Sequence, residues 1–179
     1  MKGDKMHIFG DKKYFGFGLK FLDNDAGELR LFIQNEDILQ YKWKGKLYHY
    51  VCWDLKEIVE WWENNLDIIL TEKEFPIEIT GMTGVEKYTN SLEGDLDMFE
   101  ELFEKIQDWG FQHSWFSARV SSCLADVYFR KVENDIEISW DNYDLFPSVT
   151  FIHEKGVYYV SLEDFKECIL QFIECYRNR

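Results

Sequence analysis

The residues whose types and spacing best suit chemistry lie between 113 and 126. His113, Arg119 and Cys123 stand in an irregular, Ser-rich stretch, and Asp126 follows just before an apolar strand-like run. A cysteine becomes a nucleophile when a neighbouring base or cation stabilises its thiolate. Here His113 would be the base, Asp126 would orient it, and Arg119 would supply the cation. The same residues also suit a small-ligand sensor, a polar and aromatic patch beside Trp115. A third reading makes Cys123 a small buried residue ahead of a strand. Other catalytic patterns are missing. His7, His49, His113 and His153 are dispersed, with no HxH, HExxH or CxxC spacing, so neither a metal nor a cofactor is expected. Gly16-Phe17-Gly18 lacks the third glycine and the helix start of a dinucleotide fingerprint, and better fits relief of crowding or a bulge in a strand. Glu137-Ile138-Ser139 lacks the lysine of a nuclease Glu-x-Lys step.

Carboxylates form the second candidate group. The 179-residue chain carries a formal charge of −14. Residues 51–110 hold sixteen acidic and four basic residues, whereas residues 1–50 hold seven acidic and nine basic. A field concentrated in the middle third repels polyanions and attracts basic surfaces, which argues against direct nucleic-acid binding and for a basic protein partner. Glu57, Glu60, Glu63, Glu100, Glu101, Glu104 and Asp108 are the candidate contacts, with Trp61 and Tyr88 as anchors, since aromatic residues commonly anchor interfaces. Trp61 and Trp62 are adjacent, so on a helix they point in different directions, and one is expected at an interface or under the 71–92 segment. The seven Trp, ten Tyr and fifteen Phe exceed the obvious needs of one core. Between 41 and 50, Tyr41, Trp43, Tyr48 and Tyr50 interleave with Lys42, Lys44, Lys46 and His49.

The elements that must position these groups follow from periodicity. Tyr14–Leu22 and Glu28–Gln34 alternate around an Asp-Asn-Asp-Ala-Gly turn, a hairpin pattern. Ile38–Trp43 and Leu47–Val51 flank Lys44-Gly45-Lys46 as a second hairpin. Val127–Val132 and Ile136–Trp140 make the clearest one, with Arg130 facing Glu137 or Asp141 across the strands. Val149–His153 and Val157–Val160 suggest a fourth. Trp53–Leu66 switches to helical spacing, with Asp54 as cap, Glu57 three residues on, and a stripe of Leu55, Ile58, Val59 and Trp62. Thr71–Leu92 lacks periodicity and reads as a long loop with one short strand near Ile77–Ile79. Asp95–Trp109 reads as a second helix, with Asp95 as cap, Met98 or Phe99 opening its stripe, Asp97 on its acidic face, and Gly110 ending it. Ser161, with Asp164 three residues later, caps a helix running to Tyr176.

Runs of strands joined by short turns, rather than strands alternating with helices, predict an α+β fold. The expected organisation is a single domain, 1–179, with mostly antiparallel sheet from two strand runs and three principal helices. Residues 1–51 form N-terminal strands, 53–109 an acidic helical middle, and 127–179 the later hairpins and C-terminal helix. No apolar run approaches the ~20 residues of a membrane span, so no membrane partner is expected. Cys52, Cys123, Cys168 and Cys175 lie far apart. Even the last two, seven residues apart, stand roughly 10 Å apart on a helix, too far for a disulfide. With no signal pattern, the expectation is a reduced, cytoplasmic chain.

One resemblance adds to this. Trp109…His113-Ser114…Arg119…Asp126-Val127-Tyr128-Phe129-Arg130-Lys131-Val132…Asp135-Ile136-Glu137-Ile138-Ser139-Trp140-Asp141 is similar to a segment of an uncharacterised prokaryotic domain. That domain is sometimes found ahead of stress-response zinc-metallopeptidase domains. Tyr50…Trp53-Asp54…Trp61-Trp62…Asn65-Leu66…Phe75-Pro76 looks like its N-terminal part, so the resemblance covers about residues 45–141. It implies a bacterial or phage protein of a defence or toxin-control system. The peptidase half with its HExxH is missing, so the resemblance transfers no activity and no catalytic residue. Together these readings point to an inhibitor, immunity or antitoxin-type protein. The alternatives are an enzyme or small-ligand sensor around His113, Arg119, Cys123 and Asp126, and a scaffold subunit of a defence assembly that binds through its aromatic surface.

Overall fold

The computed structural model describes residues 5–71, 74–93 and 100–179. Its fold is α+β, with all strand pairs antiparallel. The N-terminal strands β1 (His7–Asp11), β2 (Phe15–Phe21) and β3 (Gly27–Ile33) pair in order, and β3 also pairs with the short strands β4 (Glu36–Asp37) and β7 (Val51–Cys52). Phe17 faces Leu31 and Leu19 faces Leu29, so the alternation sends all four into one buried face. Gly16 sits opposite Gly10, where an added Cβ would come within 2.7 Å of the Phe9 carbonyl oxygen, so the Gly-Phe-Gly run does relieve crowding.

The second strand run supplies β8 (Val127–Val132), β9 (Asp135–Asp141) and β11 (Lys155–Ser161), in the order β11-β9-β8. A third sheet joins both runs: β10 (Val149–Phe151) pairs with β5 (Tyr41–Trp43), which pairs with β6 (Lys46–Tyr48). The hairpins read at 14–34, 38–51 and 127–140 are present. The fourth is not, because β10 leaves its neighbour for β5 and β11 takes the far edge of β9. Phe151 is the reason. It is buried between Tyr41 and Phe146, and the Ile152 N–H donates to the Gln40 carbonyl at 2.9 Å.

Helix α1 (Leu55–Thr71) starts where Asp54 Oδ1 accepts the Lys56 N–H, and continues through Leu66–Leu70. Leu55, Ile58, Val59 and Trp62 are buried between the sheets. Trp62 touches rings from β2 (Phe17), β8 (Phe129), the turn at Trp115 and the last helix (Phe165). That last helix, α4 (Leu162–Arg177), is capped by Ser161, whose hydroxyl accepts the Asp164 N–H at 3.1 Å.

The middle of the chain differs from its reading. Residues 84–92 of the expected loop fall in α2 (Gly84–Glu93), and Ile77 and Ile79 pack against a second apolar cluster instead of forming a strand. Helix α3 (Glu100–His113) runs through Gly110. That glycine is not a terminator but a contact: a Cβ there would stand 2.3 Å from the Tyr88 ring. The expected cap Asp95, the acidic-face residue Asp97 and the first stripe residues Met98 and Phe99 lie outside the described residues.

α2 is held by a long-range cap. The buried Glu137 carboxylate accepts the Gly84 N–H at 2.6 Å, and the Ser139 hydroxyl accepts the Val85 N–H at 3.3 Å. Arg130, facing Glu137 in the β8–β9 register, pairs with its other oxygen and donates to the Met82 carbonyl at 3.1 Å. Removing one member of a buried pair leaves an uncompensated charge and costs about 3–5 kcal/mol. Glu137→Ala should therefore lower unfolding free energy by that amount in urea titrations. Arg130→Met with Glu137→Met should cost clearly less.

Candidate functional site

The 113–126 group is placed by the end of α3 and a 3-10 turn, Trp115–Arg119. The Ser114 hydroxyl caps that turn, accepting the Phe116 N–H at 3.1 Å, and donates to the Asp126 carboxylate. Tyr128 donates to the other Asp126 oxygen at 3.2 Å, and the Asp126 N–H donates to Asn142 Oδ1 at 2.7 Å. Burial pushes the Asp126 carboxyl up to about 6, against the pull of those two hydroxyls.

His113 is fully buried and stacked on Trp109, with ring centroids 4.3 Å apart. Its Nδ1 lies 2.9 Å from the Trp109 carbonyl oxygen, so Nδ1 carries the proton and donates. Burial pushes its pKa down to about 4, so the ring is neutral at pH 7. Arg119 donates to the Phe116 carbonyl at 3.1 Å and lies 4.2 Å over the Phe116 ring. The Cys123 thiol is half-buried, and burial pushes it up, opposite to what a nucleophile needs. Asp126 is thus tied to the turn through Ser114, with the Arg119 charge acting on it, whereas Cys123 packs against the main core on the side of Tyr41. Among the described residues there is also no cluster of three His, Cys, Asp or Glu placed to hold a metal.

The acidic helices meet where the Trp61 indole donates to the Phe111 carbonyl at 2.8 Å. Trp61 and Trp62 are both buried, so neither presents an anchor at the surface. Tyr88 is half-buried over Trp109, Tyr128 and Gly110, and works inside the α2–α3 contact. On α1, Glu60 pairs with Lys56 and Glu63 with Arg177. On α3, Glu101, Glu104 and Asp108 are exposed and share a helix face with Phe111, which is 55 % exposed. Glu57, Glu101, Glu104 and Asp108 have no ion-pair partner among the described residues. The side chain of Glu100 lies outside the described set. Phe111 falls outside the sequence pattern because Gly110 marks the expected helix end. It stands three residues after Asp108 and seven after Glu104, and an uninterrupted helix would have shown it.

The aromatic load is mostly core. Five of the seven tryptophans are buried, and Trp43 and Trp53 are exposed. Trp43 is 41 % exposed on the β5–β6 hairpin, under Lys44, and Tyr41 stacks on Tyr48 beside it. No helix among the described residues is long and apolar enough to cross a membrane. No protein-family model, curated protein or solved structure matches the chain.

His113 gives the site a pH signature. Its folded pKa lies below the ordinary 6.5, so the unfolded chain binds the proton more readily and stability falls as pH drops from 6.5 towards 4. Asp126 has the opposite sign: its raised value makes burial costly at neutral pH, and that cost fades as pH falls through 6. Between pH 7 and 5 the histidine contributes a loss of about 2 kcal/mol. His113→Phe keeps the stack and removes the titration. Its stability should therefore drop about 2 kcal/mol less than the wild type between those two pH values, read by urea unfolding.

Proposed function

We propose that this chain is an acidic protein-binding module, of inhibitor, immunity or antitoxin type, that recognises a basic protein partner. The observation that carries the reading is the outer face of α3. There Glu101, Glu104 and Asp108, without cations of their own among the described residues, flank the exposed Phe111 ring. A ring that can be desolvated, ringed by charges that steer, is the composition of an interface core and rim. Glu57 on α1 extends the same sign of charge. The partner class follows from electrostatics: a basic surface such as the nucleic-acid-binding face of a toxin or nuclease would meet closely spaced carboxylates in place of phosphates. The resemblance over residues 45–141 fits a prokaryotic defence or toxin-control setting. The enzyme or sensor reading has weaker support, because the contacts of His113, Arg119 and Asp126 already serve the turn.

Affinity purification of the tagged chain from its host, with nuclease treatment, tests the proposal. A basic protein should co-purify at low salt and be lost at high salt, since exposed charge contacts are screened. Glu101→Lys, Glu104→Lys and Asp108→Lys together should weaken that binding at least tenfold, and Phe111→Ala should weaken it without changing the salt dependence. A partner retained equally by the charge-reversed variant would overturn the reading.

A further inference from the structure

Strand β11 ends its sheet with an open side. Its ladder to β9 is fixed at both ends by the Leu162 N–H donating to the Asn134 carbonyl and the Asn142 N–H donating to the Glu154 carbonyl. Hydrogen-bonded pairs alternate in an antiparallel ladder, so Gly156, Tyr158 and Val160 bond to β9. The N–H and C=O groups of Val157 and Tyr159 therefore point away, into the free edge. The side chains of Val157 and Tyr159 are 46 % and 47 % exposed. Natural sheets guard such edges with charge, proline or bulges. The five residues Gly156-Val157-Tyr158-Tyr159-Val160 carry neither charge nor proline. Lys155, the strand's one cation, is engaged by Asp141 at 3.2 Å and Glu86 at 3.7 Å. The other edges among the described residues are shorter or partly bridged: β1, at the open side of the first sheet, has five residues and ends on the charged Asp11. Ser114 bridges Tyr128 on the free side of β8, and β6 and β10 have three residues each.

Beside the C-terminal half of β11 lies a groove of about 530 Å³, lined by Val160, by Asp11 and Tyr14 of the β1–β2 turn, and by Asp164, Glu167 and Gln171 of α4. None of its three carboxylates has an ion-pair partner among the described residues.

We infer that the free edge of β11 binds an extended segment of a basic protein, adding it as a fourth strand to the β8–β9–β11 sheet. Backbone bonds to Val157 and Tyr159 supply the pairing. A strand's side chains alternate between faces, so every second residue of the segment falls on the groove face beside the carboxylates, and the others lie next to the Val157 and Tyr159 side chains. The segment is thus one of alternating basic and apolar residues. A second copy of the chain is disfavoured as the occupant, because each copy carries a charge of −14 and would bring its own groove carboxylates to the contact. The inference shares with the proposed function only the sign of the partner's charge.

Amide hydrogen exchange by NMR on the full chain tests it, with a capped octapeptide of four Lys-Val repeats as the probe. In the free protein, Val157 and Tyr159 amides should exchange much faster than those of Tyr158 and Val160. Saturating peptide should slow Tyr159 at least tenfold. Val157→Pro blocks the edge while sparing the ladder, because the lost N–H points outward. This variant should keep its melting temperature within a few degrees and lose the effect. Glu101→Lys, Glu104→Lys, Asp108→Lys should keep it, which separates this site from the α3 face. No slowing, equal slowing by a Glu-Val octapeptide, or peptide-free protection that rises with protein concentration would each overturn the inference, the last by placing a second copy on the edge.

Discussion

The two strand runs share only the small sheet of β5, β6 and β10, so their two larger sheets must be joined by something between them, and Trp62 is that joint. One indole meets rings from β2, β8, α4 and the turn at Trp115, with centroids 4.9–5.9 Å away. Edge-to-face and tilted contacts of this kind add to simple area burial and fix orientation as well as distance. Because the rings come from the N-terminal sheet, the C-terminal sheet and the last helix, any shift of one layer disturbs the others. The position of the 113–126 turn follows from this cluster, since Trp115 belongs to it. So does the position of β11, which pairs with β9 and leads directly into α4, whose Phe165 belongs to the same cluster.

What was legible in the sequence was local. Asp54 and Ser161 cap their helices because a cap needs only a side chain and an amide two or three residues on. The Lys44-Gly45 turn closes β5–β6 with both residues at positive φ, the backbone a two-residue hairpin requires. What was illegible depended on partners far along the chain. Part of the α2 start is local, since Thr83 Oγ1 accepts the Glu86 N–H and the Glu86 carboxylate accepts the Thr83 N–H, both at 3.3 Å, but its Gly84 amide is capped by Glu137, 53 residues away. Gly110 looked like a helix end because its real reason, the Tyr88 ring, is invisible to periodicity. Val149–Phe151 looked like a hairpin arm because alternation shows that a strand exists and not which neighbour it takes.

The candidate sites divide the same way. Charge on helices can be counted, so the acidic face of α3 was readable in outline, and Phe111 was lost only with the helix end. The chemistry read at 113–126 required distances that composition does not hold. Burial of His113 and Asp126 moved both away from the values that spacing alone suggested, in opposite directions and for one cause. The open side of β11 could not be read at all, since an edge is a property of topology.

Charge and edge also depend on each other. An unguarded strand with exposed Val157 and Tyr159 invites pairing with any exposed backbone, and a neutral protein carrying it would associate with itself. A net charge of −14 opposes that encounter between like copies at every approach. The same field lowers the barrier for a basic chain. The acidity that would be costly as a purely solvating surface, through self-repulsion within the fold, thereby selects what the open backbone meets. On the proposed reading, it disfavours the chain's own copies and polyanions and favours a partner of opposite sign.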